Sequence, residues 1–141
     1  MRYAPFALPI ALTLAACAST APAPSEPAEN TDSAVVTVTA LYRERIMLPP
    51  GHVLTARVED VSLADAPARV MVEAQEPITG APPYRVVLAF SGAEVDPRHT
   101  YAVRADIRDP SGALVFVTDT RHAVLTQGAP SSADIVLKAV R

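Results

Sequence analysis

Apolar and polar side chains alternate with a period of two from residue 35 onward, which is the spacing of β-strands and not of helices. The strongest alternation covers residues 101–108. Its apolar positions are Tyr101, Val103, Ala105 and Ile107, and its charged positions are Arg104, Asp106 and Arg108. Because neighbouring side chains in a strand point to opposite faces, we expect the apolar set to face a core and the charged set to face solvent.

Seven runs of this kind are predicted as strands, at residues 35–42, 54–59, 70–73, 84–90, 101–108, 114–120 and 135–140. Residues 109–112, Asp-Pro-Ser-Gly, are typical of a hairpin connection, and the apolar phase slips after Glu59-Asp60, which predicts a β-bulge there. Residues 34–141 are therefore expected to form an all-β domain, an antiparallel β-sandwich of about seven strands of immunoglobulin or transthyretin-like type. The long spacing between some runs leaves room for one further short helical turn or edge strand.

The N-terminus has the features of an export signal. Arg2 is followed by an apolar run from Phe6 to Leu14, which is shorter than the roughly 20 residues needed to span a bilayer. Leu14-Ala15-Ala16-Cys17 matches the bacterial lipobox, in which the cysteine thiol receives a diacylglycerol and the peptide is cleaved before it. We therefore interpret residues 1–16 as a lipoprotein signal peptide and Cys17 as the lipid attachment site. The alternative is an ordinary secretory signal that leaves a free thiol.

The residues after Cys17 differ sharply in composition from the rest of the chain. Positions 18–33 contain no aromatic and no β-branched apolar residue, so residues 17–33 are expected to be a disordered Pro/Ala-rich tether. A recognition role for the Pro-x-x-Pro at 24–27 is a second interpretation. Ala18 rather than aspartate after the lipidated cysteine favours sorting to the outer membrane, so we expect the chain to be held by its lipid on the periplasmic face.

Charge and composition narrow the function classes. The chain has 12 Lys+Arg against 15 Asp+Glu, a net charge of -3, so we expect no nucleic-acid partner. The single cysteine excludes an internal disulfide and a multi-cysteine zinc site. Tryptophan is absent and aromatic residues make up 5%, so the core is expected to consist of small and β-branched side chains. We expect the domain to be a monomer.

Residues suited to catalysis are present but do not form a motif. His52, His99 and His122 each lie beside turn residues, and none has a second ligand at metal-binding spacing, so they are interpreted as surface loop histidines. A Ser-His-Asp group could assemble only in three dimensions, and the chain has no Gly-x-Ser-x-Gly elbow. Glu59 and Asp60 are adjacent and should point to opposite faces of a strand. We therefore expect no enzymatic activity, no metal and no cofactor.

Arg104, Asp106 and Arg108 share one strand face, where ion pairing with each other across an exposed sheet is the simplest interpretation. A recognition patch that they form together with Arg98 and Arg121 is the alternative.

Four strings in the folded part carry a family resemblance. They are residues 42–50 (YRERIMLPP), 60–67 (DVSLADAP), 96–105 (DPRHTYAVRA) and 118–120 (TDT). The chain resembles the YbaY-like lipoproteins, which are grouped with the YscW type of type III secretion pilotin, and the resemblance spans nearly all of residues 36–140. It implies a β-sandwich lipoprotein of the outer membrane. Pilotins of this type resemble chaperones that escort a secretin, the ring-forming outer-membrane channel, which makes a secretin one candidate for the envelope partner. No secretin-contact residue is carried over.

Two functional hypotheses follow. The first is a non-catalytic lipoprotein that binds or escorts an envelope protein, with the first strand, Val35 to Leu41, as an edge that accepts a partner strand. The second is a module that binds a small ligand or a glycan, using the loop Pro77 to Pro83 with Tyr84 as a stacking surface.

We expect the substitution Cys17→Ser to abolish membrane association, because no acyl chain can then attach and nothing after it is long and apolar enough to span. Fractionation of cells followed by a carbonate wash measures this. Sedimentation of the variant with outer membranes after the wash would contradict the lipoprotein interpretation.

Overall fold

The structure, a computed structural model, describes residues 32–141. The predicted signal peptide (1–16), Cys17 and almost all of the predicted tether (17–33) lie outside the described residues. No helix within residues 32–141 has the length and apolar character required to cross a bilayer.

Eight strands and one short 3-10 turn make up the described part of the chain. The strands are β1 (Ser33–Tyr42), β2 (Val53–Asp60), β3 (Arg69–Pro77), β4 (Tyr84–Ser91), β5 (Tyr101–Arg108), β6 (Leu114–Val117), β7 (His122–Val124) and β8 (Ser132–Ala139). The 3-10 turn covers Gly92–Glu94. The prediction of an all-β domain is confirmed, and β7 and the 3-10 turn occupy the long gaps between predicted strands.

The strands form one sheet in the order β3-β2-β5-β6-β8-β1-β4, with the short β7 paired to β5. All pairs are antiparallel except β1 with β8, which is parallel. β8 pairs with β1 from Ser132 to Leu137 and with β6 at Lys138 and Ala139. Because β8 takes part in both ladders, the strands curl into a nearly closed sheet with β3 and β4 beside each other at its ends.

This arrangement corrects the prediction of an antiparallel sandwich of immunoglobulin or transthyretin-like type. In such a sandwich two separate sheets face each other, whereas here β8 carries hydrogen bonding from one half to the other. The alternation of side chains shows which face of a strand is buried but carries no information on its lateral neighbours, so the sequence did not reveal this continuity.

The interior is filled by the alternating apolar positions of β1, β2, β4, β5 and β8, with Phe116 from β6. Tyr101, Val103 and Ile107 are buried as predicted, with at most 1% of each residue exposed. Tyr42 stacks on Phe116 with ring centroids 4.7 Å apart and lies 6.3 Å from Tyr84, so three aromatic residues cluster at one end of the core.

The predicted strand at 114–120 is interrupted at Thr118. Its hydroxyl accepts a hydrogen bond from the Ala105 amide and donates one to the Ala105 carbonyl, both at 2.8 Å. The side chain thus occupies hydrogen-bonding positions that a continuing strand would use. The chain then leaves the sheet and returns as β7 beside Tyr101–Val103.

The predicted hairpin is present. The predicted bulge at Glu59-Asp60 of β2 is wrong in its position, because β2 stays in register with β5 through Asp60 and the extra residue lies on the neighbouring strand β3. The register between β2 and β3 shifts between Val58 and Glu59, and the extra residue is Met71 of β3, because Val58 pairs with Val72 and Glu59 with Val70. The chain beyond β2 is not a strand, so the predicted apolar continuation to Leu63 is wrong; Leu63 is 72% exposed. In the hairpin, Asp109 Oδ1 accepts hydrogen bonds from the Ser111 and Ala113 amides, and Gly112 adopts a positive φ of 87°.

We expect Val103→Asp to unfold the domain, because an unpaired carboxylate in this core costs several kcal/mol against a total stability of about 5–15 kcal/mol. Arg104→Gln, on the opposite face of the same strand, should cost less than about 1 kcal/mol because its side chain is 60% exposed. Thermal unfolding of the two variants measures this, and equal losses would contradict the assignment of faces.

Candidate functional site

The core is least covered where the two end strands of the sheet meet. Eight apolar side chains pack on the core while remaining partly exposed, and five of them belong to β3 and β4. These five are Met71, Val72, Ala74, Tyr84 and Phe90. We call the surface that they form between β3 and β4 the seam.

The backbone at the seam is also incompletely paired. β3 pairs only with β2 and β4 only with β1 in the sheet order, and no ladder among residues 32–141 joins β3 to β4. Each end strand therefore has amide and carbonyl groups directed away from its ladder, as edge strands do. The seam combines free backbone hydrogen-bonding groups with apolar side chains, which are the two requirements for docking an extended segment or the apolar face of a short helix.

One end of the seam is fixed by two tyrosines. The Tyr84 hydroxyl donates to the Gly80 carbonyl at 3.1 Å and lies 3.4 Å from the Tyr42 hydroxyl, which donates to the Ile46 carbonyl at 3.1 Å. Burial, together with the neighbouring Tyr42, raises the pKa of Tyr84 well above its ordinary value, so the phenol stays protonated as a donor. The pair therefore ties the β1–β2 loop to the β3–β4 loop.

The same contacts remove the stacking surface proposed for the loop Pro77 to Pro83. Tyr84 packs on the core and its hydroxyl is engaged by the loop itself. Tyr42, the aromatic residue 6.3 Å away, is buried and stacks inward on Phe116. The two rings thus support the fold at this end of the seam.

The predicted edge strand, Val35 to Leu41, is an interior strand. Thr37 pairs with Val87 of β4 on one side and with Ser132 of β8 on the other. The strand directly after a tether was expected to lie at an edge, but the last strand of the chain pairs beside it in parallel. The free edges belong to β3 and β4 instead.

The outer face of β2, β3 and β5 carries a network of ion pairs. Arg57 Nε donates to Glu59 at 2.7 Å, and another nitrogen of the same guanidinium lies 3.4 Å from Asp106 Oδ1. Arg104 lies 3.3 Å from Glu59, and Arg108 lies 3.3 Å from Asp106. The predicted ion pairing on this face is confirmed for Asp106 with Arg108, whereas Arg104 pairs with Glu59 of β2, and Asp106 is buried rather than exposed, with 3% of the residue accessible.

The alternative recognition patch is assembled only in part, because Arg104 and Arg121 line one depression and Arg98 does not join them. Arg98 lies in the β4–β5 loop, where both of its contacts are to Asp96. Hydrogen bonds from its side chain and backbone hold the pKa of Asp96 far below its ordinary value. Arg121 lies with Arg104 at a separate depression beside Thr118. Arg57 was not predicted as a member of this network, although its place in the polar alternation of Thr55, Arg57 and Glu59 was a signal for cross-strand pairing.

The histidines occupy three different environments. His52 is 7% exposed, so the prediction of three surface histidines is wrong for it; its Nδ1 lies 2.9 Å from the Pro49 carbonyl oxygen. His99 Nδ1 lies 2.7 Å from Asp60 Oδ2, and His122 Nε2 lies 3.0 Å from the Thr120 hydroxyl. Within residues 32–141, no three His, Cys, Asp or Glu side chains converge as metal ligands would.

Asp60 links two loops at the end of the molecule opposite Tyr84. Its carboxylate accepts hydrogen bonds from Ser62 and contacts His99, and the Ser62 hydroxyl accepts from the Thr100 amide at 2.9 Å. Glu59 contacts arginines on the outer face while Asp60 turns to the loops, as their adjacency predicted. The carboxylates are therefore not an acid/base pair.

Comparison with known proteins identifies the family. Residues 31–137 match the family model described as "Type III secretion system lipoprotein chaperone (YscW)". The chain belongs to the YscW family. It is 33% identical over 147 residues to the uncharacterized lipoprotein YbaY of Escherichia coli strain K12, covering 95% of this chain and 76% of that protein.

A solved structure of a secretion-system pilotin supports the assignment to the YscW family. The structure of an alternative pilotin from the type II secretion system of Vibrio cholerae superposes with a TM-score of 0.73 and 36% sequence identity. The match covers 77% of this chain and 98% of the pilotin. The resemblance drawn from the four sequence strings is thus confirmed, and this YscW-family member shares its fold with a secretion-system pilotin.

The contacts of Asp60 generate a prediction about acid stability. Burial is the largest single influence and raises the pKa of Asp60, but the hydrogen bonds from Ser62 and the contact with His99 together lower it below its ordinary 3.8. The ionised Asp60 carboxylate therefore stabilises the fold at pH values above the pKa that Asp60 has in the unfolded chain. This contribution is lost as the pH falls below about 3.8. Asp60→Asn should lower the melting temperature at pH 7, and its difference from the parent should shrink in acid.

Melting temperatures between pH 2.5 and pH 7 measure this effect. They must be precise enough to resolve a change of about 1 kcal/mol in the free energy of unfolding. Asp65→Asn, an exposed carboxylate in the loop that follows, is the matched control and should leave the profile unchanged. A constant difference between Asp60→Asn and the parent at all pH values would contradict the prediction.

Proposed function

We propose that this YscW-family lipoprotein is held by acylated Cys17 at the periplasmic face of the outer membrane, where it binds and escorts a secretin-type envelope protein without catalysing a reaction. The family description and the pilotin likeness support the escort role. The lipobox and the residues that follow it support the anchor and the tether of residues 17–33.

The seam is the observation that carries the partner-binding part of the proposal. An escort protein must hold a segment that would otherwise be exposed, and such segments supply apolar side chains and unpaired backbone groups. The seam offers a complement for both, since β3 and β4 present free edges above the partly covered side chains of Met71, Val72 and Phe90.

Two features of β3 support its adaptation to a partner. Met71 is the extra residue of the β2–β3 bulge, and a bulge locally disrupts the ladder and bends an edge strand. Methionine is flexible and polarizable, so it can fit differently shaped apolar surfaces. The seam therefore has a flexible side chain, that of Met71, at the point where the β3 backbone departs from a regular ladder.

The charges around the seam suit a partner of mixed charge. Arg69, Glu73 and Glu76 of β3 and Arg85 of β4 are exposed, so both signs border the apolar surface. Pairs of this kind, exposed to solvent, contribute little affinity but set orientation and on-rate. The apolar centre of the seam supplies most of the binding free energy.

The experiment is site-specific photo-crosslinking in cells that carry the full-length lipoprotein and a secretion system. A photoreactive amino acid at Met71 should form an adduct with the secretin. The matched control is Val115 of β6, which is also partly exposed and packs on the same core but lies away from the seam. Adducts of equal yield at both positions, or none with an envelope protein from any seam position, would refute the proposal.

A substitution in the seam should weaken the escort. We expect Met71→Lys to reduce the secretin multimers that reach the outer membrane, by about tenfold if one apolar contact worth 1–2 kcal/mol is lost. The lysine stem covers the core while its ammonium remains in water, so folding should be preserved. Val115→Lys is the control, melting temperatures verify both folds, and unchanged multimer assembly with Met71→Lys would exclude the seam.

A further inference from the structure

A groove of about 470 Å³ lies on the outer face of the sheet, separate from the seam, and its lining combines charged, polar and apolar groups. Thr55 and Arg57 of β2, Glu73 and Gln75 of β3, and Asp106 and Arg108 of β5 line its floor. Val53 and Pro110 close it at the end of the β5–β6 hairpin.

One oxygen at the floor of this groove lacks a hydrogen bond. Asp106 Oδ2 is inaccessible to solvent and accepts no hydrogen bond, the only such side-chain atom found in the described part of the chain. Its nearest cation is Arg108 Nε at 3.3 Å, outside hydrogen-bonding geometry. Because a buried acceptor without a donor costs free energy, a donor from a ligand would be stabilised here.

The Arg108 side chain, which lies beside Asp106 Oδ2, is able to move. The Arg108 side chain is 51% exposed, and its hydrogen bond is to the Gly112 carbonyl in the flanking turn. Rotation of this side chain would open Asp106 to the groove while the strand stays in place. Gly51 fixes the end of the groove, because it has a positive φ of 100° and a Cβ there would lie 2.9 Å from Pro110 Cγ.

The charges in the groove select the chemical class of the ligand. An ammonium group directed at Asp106 would meet Arg57 and Arg108, which lie within 3.4 Å of the carboxylate. An anion directed at the arginines would meet Asp106 and the neighbouring Glu73, 3.8 Å from Arg57. A hydroxyl group avoids both repulsions, because it donates to a carboxylate and accepts from a guanidinium without carrying charge.

We propose that this groove binds a neutral saccharide, with one ring hydroxyl donating to Asp106 Oδ2 and an adjacent hydroxyl accepting from Arg57 or Arg108. Thr55 and Gln75 supply further hydrogen-bonding groups at the floor, and the C–H face of the ring packs on Val53 and Pro110. The sugar thus bridges charges that the protein leaves incompletely paired. The site is independent of the seam and of the escort role.

The experiment uses the full-length lipoprotein in micelles of a detergent that contains no sugar, with maltose and N,N′-diacetylchitobiose as probes. Saturation-transfer NMR should show transfer from the protein to ring protons of at least one disaccharide. The comparison of the two probes shows whether an acetamido group adds to the hydroxyl contacts. Glycine, a zwitterion that carries one ammonium and one carboxylate, is the comparator with charged groups.

Asp106→Asn should weaken binding of that disaccharide about tenfold or more, because the acceptor becomes an amide that donates or accepts without charge. Asp134→Asn, an exposed carboxylate on β8, is the matched control and should bind as the parent does. Thr55→Val, nearly isosteric and within the groove, serves as a second variant if Asp106→Asn lowers the melting temperature strongly.

Absence of transfer to both disaccharides would overturn the proposal, and so would unchanged affinity in folded Asp106→Asn and Thr55→Val. Transfer to glycine with none to the sugars would overturn the assignment of ligand class. None of these outcomes bears on crosslinking at Met71, so failure of the groove and failure of the escort function are distinguishable.

Discussion

The two-sided pairing of β8 is the interaction on which the rest of this structure depends. Ser132 to Leu137 hydrogen-bond in parallel with β1, and the next two residues pair with β6 in antiparallel fashion. Without the first ladder, the β1–β4 pair would have no backbone connection to the other strands in the sheet order. The buried side chains of β8, Ala133, Ile135 and Leu137, then fill the space between the two halves. β8 therefore joins the two halves of the sheet by hydrogen bonds and also contributes side chains to the hydrophobic core.

The seam follows from this closure. A sheet that curls around one core brings its two end strands together, and here those strands approach without forming a ladder. The apolar inner positions of β3 and those at the two ends of β4, Tyr84 and Phe90, are less covered than those of the central strands, whereas Val86 and Leu88 in the middle of β4 are buried. Proteins usually protect free edges with charge or bulges, and β3 has both, since Met71 forms a bulge and Glu73 is exposed. An edge protected against unselective pairing, yet apolar beneath, suits a protein that binds one kind of segment.

The outer face shows a different balance of forces. Asp106 and Glu59 are charged yet almost fully covered, which costs desolvation unless each charge is paired. Glu59 is held by Arg57 and Arg104, whereas one oxygen of Asp106 remains without a donor. The outer face thus contains an acceptor oxygen without a hydrogen-bond donor, and this oxygen lies beside a groove. The seam instead contains apolar side chains that are only partly covered. The two surfaces share β3 but use its opposite faces, and they offer different chemistry.

The sequence by itself determined the all-β class, the faces of the strands and the position of the hairpin at Asp109–Gly112, because alternation and turn propensity are local properties. The four family strings also indicated the YscW-like relationship. The N-terminal features at Cys17 belong to the sequence alone. Only the tertiary structure decided the parallel pairing of β1 with β8, the edges at β3 and β4, the burial of His52 and the contact of Arg57 with Asp106. Each depends on which distant segments become neighbours, and a two-residue period specifies a face without specifying a partner.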